Sequence, residues 1–208
     1  MELDQLYKRL NRPHADRLDL LDKLKEVAFS RDDLYLEYVT LLNQLGRYEE
    51  AIHMIDARRF HPWEGGEGKV PAQYQLARVE LVKACLKAGE NEKALDLIEE
   101  CFIYPHNLGE GKLYGAQEND FNYYKACALQ ALGREAEARE LFLAASTGNS
   151  QPAAAMYYND QKPDKIFYQG LAFRKLGRED EARGCFNRLI DFGEKHLFDR
   201  FPAAVSGS

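Results

Sequence analysis

The chain has 208 residues, 45% of them hydrophobic, with 28 basic and 34 acidic side chains and a formal net charge of −6; it can bury a substantial core, and length alone permits one or two domains. The two signs of charge are interspersed, so no concentrated basic face is offered to a phosphate backbone and nucleic acid is excluded as the main partner. No apolar run reaches the roughly 18 residues of a membrane span and the first residues lack the apolar core of a signal peptide, so the expectation is a cytoplasmic protein with no membrane partner.

Residues 2–10 and about 15–29, the second after Pro13, are predicted as N-terminal capping helices. Between Lys8 and Lys25 the basic residues alternate with Asp16, Asp19 and Asp22, the pattern of a solvated helix face. From about residue 31 onward the apolar positions recur at helical spacing in paired segments. Leu34, Tyr35, Tyr38, Val39, Leu41, Leu42 and Leu45 are succeeded by Ile52, Ile55 and Phe60; Leu76, Val79, Leu81, Val82 and Leu86 are succeeded by Leu95, Leu97 and Ile98. The spacing predicts helices over roughly 31–45, 48–59, 71–88, 91–102, 119–132, 135–146, 164–176 and 179–197.

Each pair is joined by the same signature: Leu45-Gly46-Arg47-Tyr48-Glu49-Glu50-Ala51, Ala88-Gly89-Glu90-Asn91-Glu92-Lys93-Ala94, Leu132-Gly133-Arg134-Glu135-Ala136-Glu137-Ala138 and Leu176-Gly177-Arg178-Glu179-Asp180-Glu181-Ala182. The glycines lie 43, 44 and 44 residues apart, so the chain is a repeat array. Glycine suits the left-handed residue that ends a helix, and the acidic residues after it suit the positive end of the next helix dipole. The alanine five residues on is small where two antiparallel helices approach.

The unit resembles a tetratricopeptide repeat (TPR). With the turn glycine at position 15 of that motif, Gly170 falls on its small position 8, Ala51, Ala94, Ala138 and Ala182 on its alanine position 20, and Phe142 and Phe186 on its aromatic position 24. Position 8 is Val39, Val82 and Ala126 in the first three units, the first-helix Trp of the motif is absent, and the period exceeds the family's 34 residues. The resemblance implies an all-α fold, a right-handed α-solenoid of antiparallel helix pairs with long inter-repeat loops. Residues 1–30 would be N-terminal capping helices, 31–198 four TPR-like pairs, and 199–208 a disordered or appended tail. In such arrays position 5 of each first helix faces the concave side, which makes Leu36, Val79, Tyr123 and Phe167 an apolar groove stripe for a peptide or helix, or an internally packed layer if the loops fold inward. The positions that clamp chaperone tails read Thr40, Asn43, Lys83, Cys127 and Arg174 and form no clear carboxylate clamp.

The loops repeat as well. Pro62 matches Pro105, and Gly66-Glu67-Gly68-Lys69 matches Gly109-Glu110-Gly111-Lys112, each shifted by 43 residues. This is not a phosphate loop: Trp63 and His106 stand where its first glycine belongs, and Val70 and Leu113 come after the lysines in place of Ser or Thr. One reading is structural, with glycines supplying unusual backbone angles and Glu and Lys tying the loop down. The other is a binding edge made of Trp63, Glu67, Lys69, Glu110, Lys112, Tyr114, Tyr157, Tyr158, Asn159 and Asp160, since aromatic faces beside carboxylates and amides suit sugars or peptides. Tyr104, Asn119 and Asp120 lie beside the same loops. Glu67 and Glu110 are also a conceivable acid and base pair for glycoside hydrolysis, if their separation allowed it.

His61 and His106 flank the matched prolines on opposite sides and are not equivalent, and no second ligand at metal spacing accompanies either. Cys85, Cys101, Cys127 and Cys185 form no CxxC pair and read as buried reduced thiols. No Ser-His-Asp or Cys-His arrangement can be assembled, so no catalytic residue, metal or cofactor is assigned. The segments His61–Lys69, Gly109–Asp120 and Ala153–Gln161 look like the C-terminal helical region of large bacterial proteins in which a galactose-mutarotase-like β-sandwich precedes the repeats. That likeness implies a chain excised from a longer one, whose loops pack on a sugar-handling domain. The expectation is therefore a non-enzymatic scaffold for a protein or peptide partner or another domain; a glycan-associated module is the alternative, and self-association through an unpaired end face a further possibility.

Overall fold

The computed structural model describes residues 2–153 and 162–198. It is all-α, and among the described residues there is no strand. The helices are α1 (Glu2–Arg9), α2 (His14–Lys23), α3 (Lys25–Ala28), α4 (Asp32–Gln44), α5 (Tyr48–Asp56), α6 (Lys69–Ala88), α7 (Asn91–Cys101), α8 (Asn119–Ala131), α9 (Glu135–Ala145), α10 (Pro163–Lys175) and α11 (Glu179–His196), with a 3-10 turn at His106–Leu108. None of the described helices is long and apolar enough to cross a membrane.

Every helix expected from the periodicity is present, with two informative differences. The predicted helix 15–29 is broken at Leu24, where φ −114° and ψ 29° leave the helical region. The break turns Phe29 onto the edges of Tyr35 and Tyr38, at centroid distances of 5.0 and 5.3 Å, so tertiary packing overrides local propensity. α5 stops at Asp56, short of residue 59, and so releases Arg58 to reach the carboxylate of Asp32 and the carbonyl of Phe29.

The four signature turns share one geometry. Gly46, Gly89, Gly133 and Gly177 have φ between 74° and 79°, the left-handed conformation that only glycine adopts without strain. The amides of Arg47, Glu90, Arg134 and Arg178 donate back to the carbonyls of Leu42, Cys85, Leu129 and Phe173, each at 2.9 Å, which completes a Schellman motif at the end of every first helix. The residue after the glycine also forms an ion pair three residues on: Arg47 with Glu50, Arg134 with Glu137 and Arg178 with Glu181. In the second unit the charges are exchanged, and Lys93 pairs with Glu90 at 3.4 Å. Ala51, Ala94, Ala138 and Ala182 are wholly buried, as are Val39, Val82 and Ala126 at the close-approach position of the preceding helix. At Gly170 a Cβ would lie 2.5 Å from the ring of Phe186, so the pairing of a small residue with an aromatic one is realised in the last unit.

The described residues fall into two compact units. One comprises the residues up to 116 together with 124–138, and the other 117–123 together with the residues from 139 onward. In the first, Leu41, Leu42, Ile55, Val70 and Leu108 lie in one continuous buried cluster with Tyr35, Tyr38 and Phe60; each fully buried aliphatic side chain contributes about 1.5–3 kcal/mol relative to exposure. In the second, Ile166, Ala172, Ala182 and Cys185 are buried between α10 and α11, and Tyr123 contacts the rings of Phe142 and Tyr168 at 5.8 and 5.7 Å.

α1 is held by charge and not by its leucines. Asp4, only 2% exposed, accepts from Arg17 at 2.9 and 3.0 Å. Arg17 also pairs with Glu37, which Lys8 reaches at 3.1 Å. Leu3, Leu6 and Leu10 lie on the exposed side.

Candidate functional site

The loop edge of the first unit is built outward from Asp32, the first residue of α4. Its carboxylate accepts from the Arg58 guanidinium at 2.6 Å and from the His61 amide at 2.8 Å, with His61 Nδ1 at 3.2 Å. Burial works to raise this carboxyl, but the bonds from the His61 amide, Arg58 and the His61 ring together hold it below the usual carboxylate range. Arg58 in turn lies 4.3 Å from the Tyr35 ring centroid. The stretch leaving α5 is thereby fixed, and Phe60 points into the core.

The second loop folds back onto this stretch. Phe60 N donates to Asn107 O at 2.8 Å, and the Asn107 amide donates to the carbonyls of Ile55 and Arg58 at 2.9 and 3.2 Å. One residue thus caps the end of α5: it gives the Arg58 carbonyl a donor and adds a second one to the Ile55 carbonyl, which also accepts from Arg58 N. Gly109, at φ 75°, lies so close that a Cβ there would be 2.7 Å from the Phe60 carbonyl oxygen. Glu110 then reaches across to accept from Gly68 N at 2.7 Å, placing a carboxylate at the start of α6, where the helix dipole favours it.

Two open clefts result. One, of about 290 Å³, is lined by Pro62, Trp63, Glu64, Gly66, Glu67 and Glu110. The Trp63 indole lies over Gly66, where a Cβ would come within 2.2 Å of the ring. The other, of about 480 Å³, shares Pro62 and Glu110 and adds Arg59, His61, Tyr104 and His106 among its lining residues.

Of the loop residues singled out from sequence, Trp63, Glu67 and Glu110 come together in one cleft. Lys69, Lys112 and Tyr114 line neither cleft; all three are exposed, and the Lys112 ammonium lies 5.9 Å from the Phe102 ring. Tyr157, Tyr158, Asn159 and Asp160 lie outside the described residues, as does the tail from 199 to 208. Asn119 and Asp120 are buried: the Asn119 amide donates to Ala145 O and Thr147 O, and Asp120 pairs with Lys165 at 2.5 Å. In the proposed groove stripe Leu36 and Val79 are only 4% and 7% exposed and sit in packed layers, whereas Phe167 is 44% exposed and Tyr123 is half-buried against Phe142 and Tyr168.

The matched tetrapeptides are not structurally equivalent. Gly68 has φ 72° and leads directly into α6, while its counterpart Gly111 has no left-handed backbone; Gly109 has φ 75°, while its counterpart Gly66 does not. The expected tying-down role falls to Glu110 and, outside the motif, to Asn107 and Asp32. Neither Asn107 nor Asp32 stands out in the sequence. Asp32 carries the signal of an acidic residue opening a helix, and Asn107 that of an amide after a proline turn, but their partners are remote in sequence.

Cys85, Cys101 and Cys185 are buried free thiols and Cys127 is half-buried; burial pushes the Cys85 and Cys185 thiols up, away from the reactive thiolate. Among the described residues no group of three or more His, Cys, Asp and Glu is placed to hold a metal ion.

No family model matches the chain. It is similar to solved structures of MamA: one of an RS-1 ArsTM double mutant, at 13% identity over 95% of this chain and 94% of that one with a TM-score of 0.46, and another at 14% identity over 95% and 98% with a TM-score of 0.45. It is also similar to nearly identical TPR-like repeats of a Podosopora anserina putative kinesin light chain, at 15% identity over 96% and 95% with a TM-score of 0.44.

Proposed function

We propose that this chain is a non-enzymatic helical-repeat scaffold that makes protein–protein or interdomain contacts through the loop edge of its first unit. The observation that carries this reading is the bracing of one inter-repeat loop by the other: Asn107, Gly109 and Glu110 hold the 59–68 stretch in place and leave two preformed clefts at the surface. Preformed surfaces lose little freedom when they bind, which is the main cost of association for loops. Phe167 and Tyr123 in the second unit are a second, smaller contact surface on α10 and α8.

A glycan-associated role is the second reading. It is favoured by one fact, that Trp63, Glu67 and Glu110 share a cleft, since an aromatic wall with carboxylates beside it also suits a sugar ring. A second copy of the chain is also among the admitted partners, and sedimentation at rising concentration reads it directly.

The test compares two double variants for the polypeptides each retains from a native extract, alongside oligosaccharide titrations tracked by Trp63 fluorescence. Trp63→Ala with Glu110→Gln is expected to lose the retained partner while Tyr123→Ala with Phe167→Ala keeps most of it. Unchanged retention by both would refute the scaffold reading, and a saturable oligosaccharide response lost in Glu67→Gln would replace it with the glycan one.

A further inference from the structure

The two adjoining clefts carry opposite chemistry. In the smaller, Trp63 and Pro62 form apolar walls, and the only charged lining residues are Glu64, Glu67 and Glu110; none of the six residues that line it is basic. Its neighbour shares Pro62 and Glu110 but is lined as well by Arg59, His61 and His106.

Glu64, Glu67 and Glu110 give the cleft a single sign of charge, which favours the entry of a cation. A metal ion is a poor fit, because these carboxylates are not gathered at a point among the described residues. A cation with an apolar stem fits better. Indole offers the strongest of the aromatic faces for an ammonium or guanidinium group, and carboxylates pair with both, bidentately with guanidinium. At about 290 Å³ the cleft lies just under the roughly 300–1,000 Å³ of small-molecule sites, a size for one long side chain. A neutral sugar would stack on the same ring but bring no charge to meet the carboxylates of Glu64 and Glu67.

We infer that the Trp63 cleft receives a lysine or arginine side chain of a partner polypeptide, and that an acidic residue of the same segment meets Arg59 and His106 in the adjoining cleft. This rests on the scaffold reading and gives its partner a chemistry. The polarity is set by the fold: Glu110, bonded to Gly68 N, lies on the boundary between the clefts, and Arg59 lines only the larger one.

Trp63 is the single tryptophan, so its emission reports the cleft directly. The full chain is titrated with acetyl-Gly-Gly-Arg-Gly-Glu-Gly-amide, with its lysine form and with its citrulline form, which keeps the shape of arginine without the charge; calorimetry provides a second readout. The expected result is saturable binding of the arginine and lysine peptides, weakened tenfold or more by citrulline, by the variant Glu64→Gln with Glu67→Gln, and by raised salt. Both glutamates are exposed, so the variant is expected to melt like the parent. Equal binding of arginine and citrulline peptides, or no binding by either readout, overturns the inference. So does a response to neutral oligosaccharides alone, which selects the glycan reading. If the peptides fail while Trp63→Ala with Glu110→Gln still loses its retained partner, the scaffold reading survives without this chemistry. If retention is untouched by both loop and groove variants, the scaffold reading itself fails.

Discussion

Gly170 and Gly193 are both interior helix glycines, yet their surroundings give opposite signs to replacement by alanine. Glycine inside a helix costs about 1 kcal/mol relative to alanine, so each substitution begins with that gain. At Gly193 of α11 nothing lies within 4 Å of the added Cβ, and the gain is kept. At Gly170 of α10 the Cβ would meet Phe186 at 2.5, 2.8 and 3.1 Å. That ring contacts Phe167 at a centroid distance of 5.7 Å, and the Arg174 guanidinium lies 5.3 Å from its centre, so it cannot swing away without breaking other contacts. Overpacking costs about 1–3 kcal/mol, and three ring atoms within 3.1 Å put this site in the upper part of that range, about 2–3 kcal/mol. The expected net loss for Gly170→Ala is therefore roughly 1–2 kcal/mol, and a chain of this length converts each kcal/mol into about 2–4 °C of melting temperature. Melts tracked by far-ultraviolet circular dichroism should show Gly170→Ala lower by roughly 2–8 °C and Gly193→Ala higher by about 2–4 °C. In a Phe186→Leu background the obstructing ring edge is gone, and Gly170→Ala should become neutral or stabilising. A Gly170→Ala protein that melts at or above the parent would refute the assignment of Gly170 and Phe186 as a size-matched pair.

Asn107→Ala removes two hydrogen bonds to the end of α5, each worth about 0.5–1.5 kcal/mol net, and should lower stability by roughly 1–3 kcal/mol with faster protease cleavage between residues 103 and 116. Gly66→Ala drives a methyl group into the Trp63 ring without changing any charge; the emission of Trp63 should shift to the red and the melting temperature should fall as the indole is pushed off the core it packs against, and an unshifted spectrum would contradict the ring's placement over Gly66. Arg17→Met strands Asp4 beside Glu37 and should cost about 3–5 kcal/mol, read as loss of hydrogen-exchange protection in α1. Asp32 is held below the usual carboxylate range in the folded chain, so it stabilises the fold above its unfolded value near pH 4 and loses that contribution as pH falls through the lower folded value. Between about pH 5 and pH 3 the parent should therefore lose more denaturant resistance than Asp32→Asn, and parallel losses would show that the Asp32 cluster adds nothing.

The repeats are legible because each signature residue answers to a local requirement. The turn glycines need a left-handed backbone, the alanines need a small side chain at a helix contact, and both are set within seven residues of chain. Trp63, Glu67 and Glu110 can be nominated for similar reasons, as residue types suited to binding in matched loops. The long-range part has no such local signal. Asp32 meets His61 across 29 residues, Asn107 meets Ile55 across 52 and Glu110 meets Gly68 across 42. The groove stripe shows the converse difficulty. Leu36 and Val79 are expected to face a groove, but helical period alone does not say whether an apolar position is covered, and here both are.

The matched loops show how a sequence repeat can lose its structural equivalence. A shift of 43 residues superimposes Gly-Glu-Gly-Lys on its copy in sequence, which on its own suggests two copies of one site. The helices break that equivalence: Lys69 opens α6 at once, while Lys112 is succeeded by a turn from Leu113 to Ala116 before α8 begins at Asn119. The first loop is therefore pinned at its helix start and offers Gly68 N as a donor. The second has the slack to reach back and supply Glu110 as its acceptor. Glu67, released from that duty, stays exposed in the cleft that Glu110 helps to close. Two like copies thus divide into a donor loop and a bracing loop, and they build one composite edge where the sequence repeat suggests two separate sites. A chain with six residues deleted after Lys112 should lose the Glu110 contact and the cleft together while its turns and buried alanines persist, observable as an altered Trp63 emission with unchanged helix content.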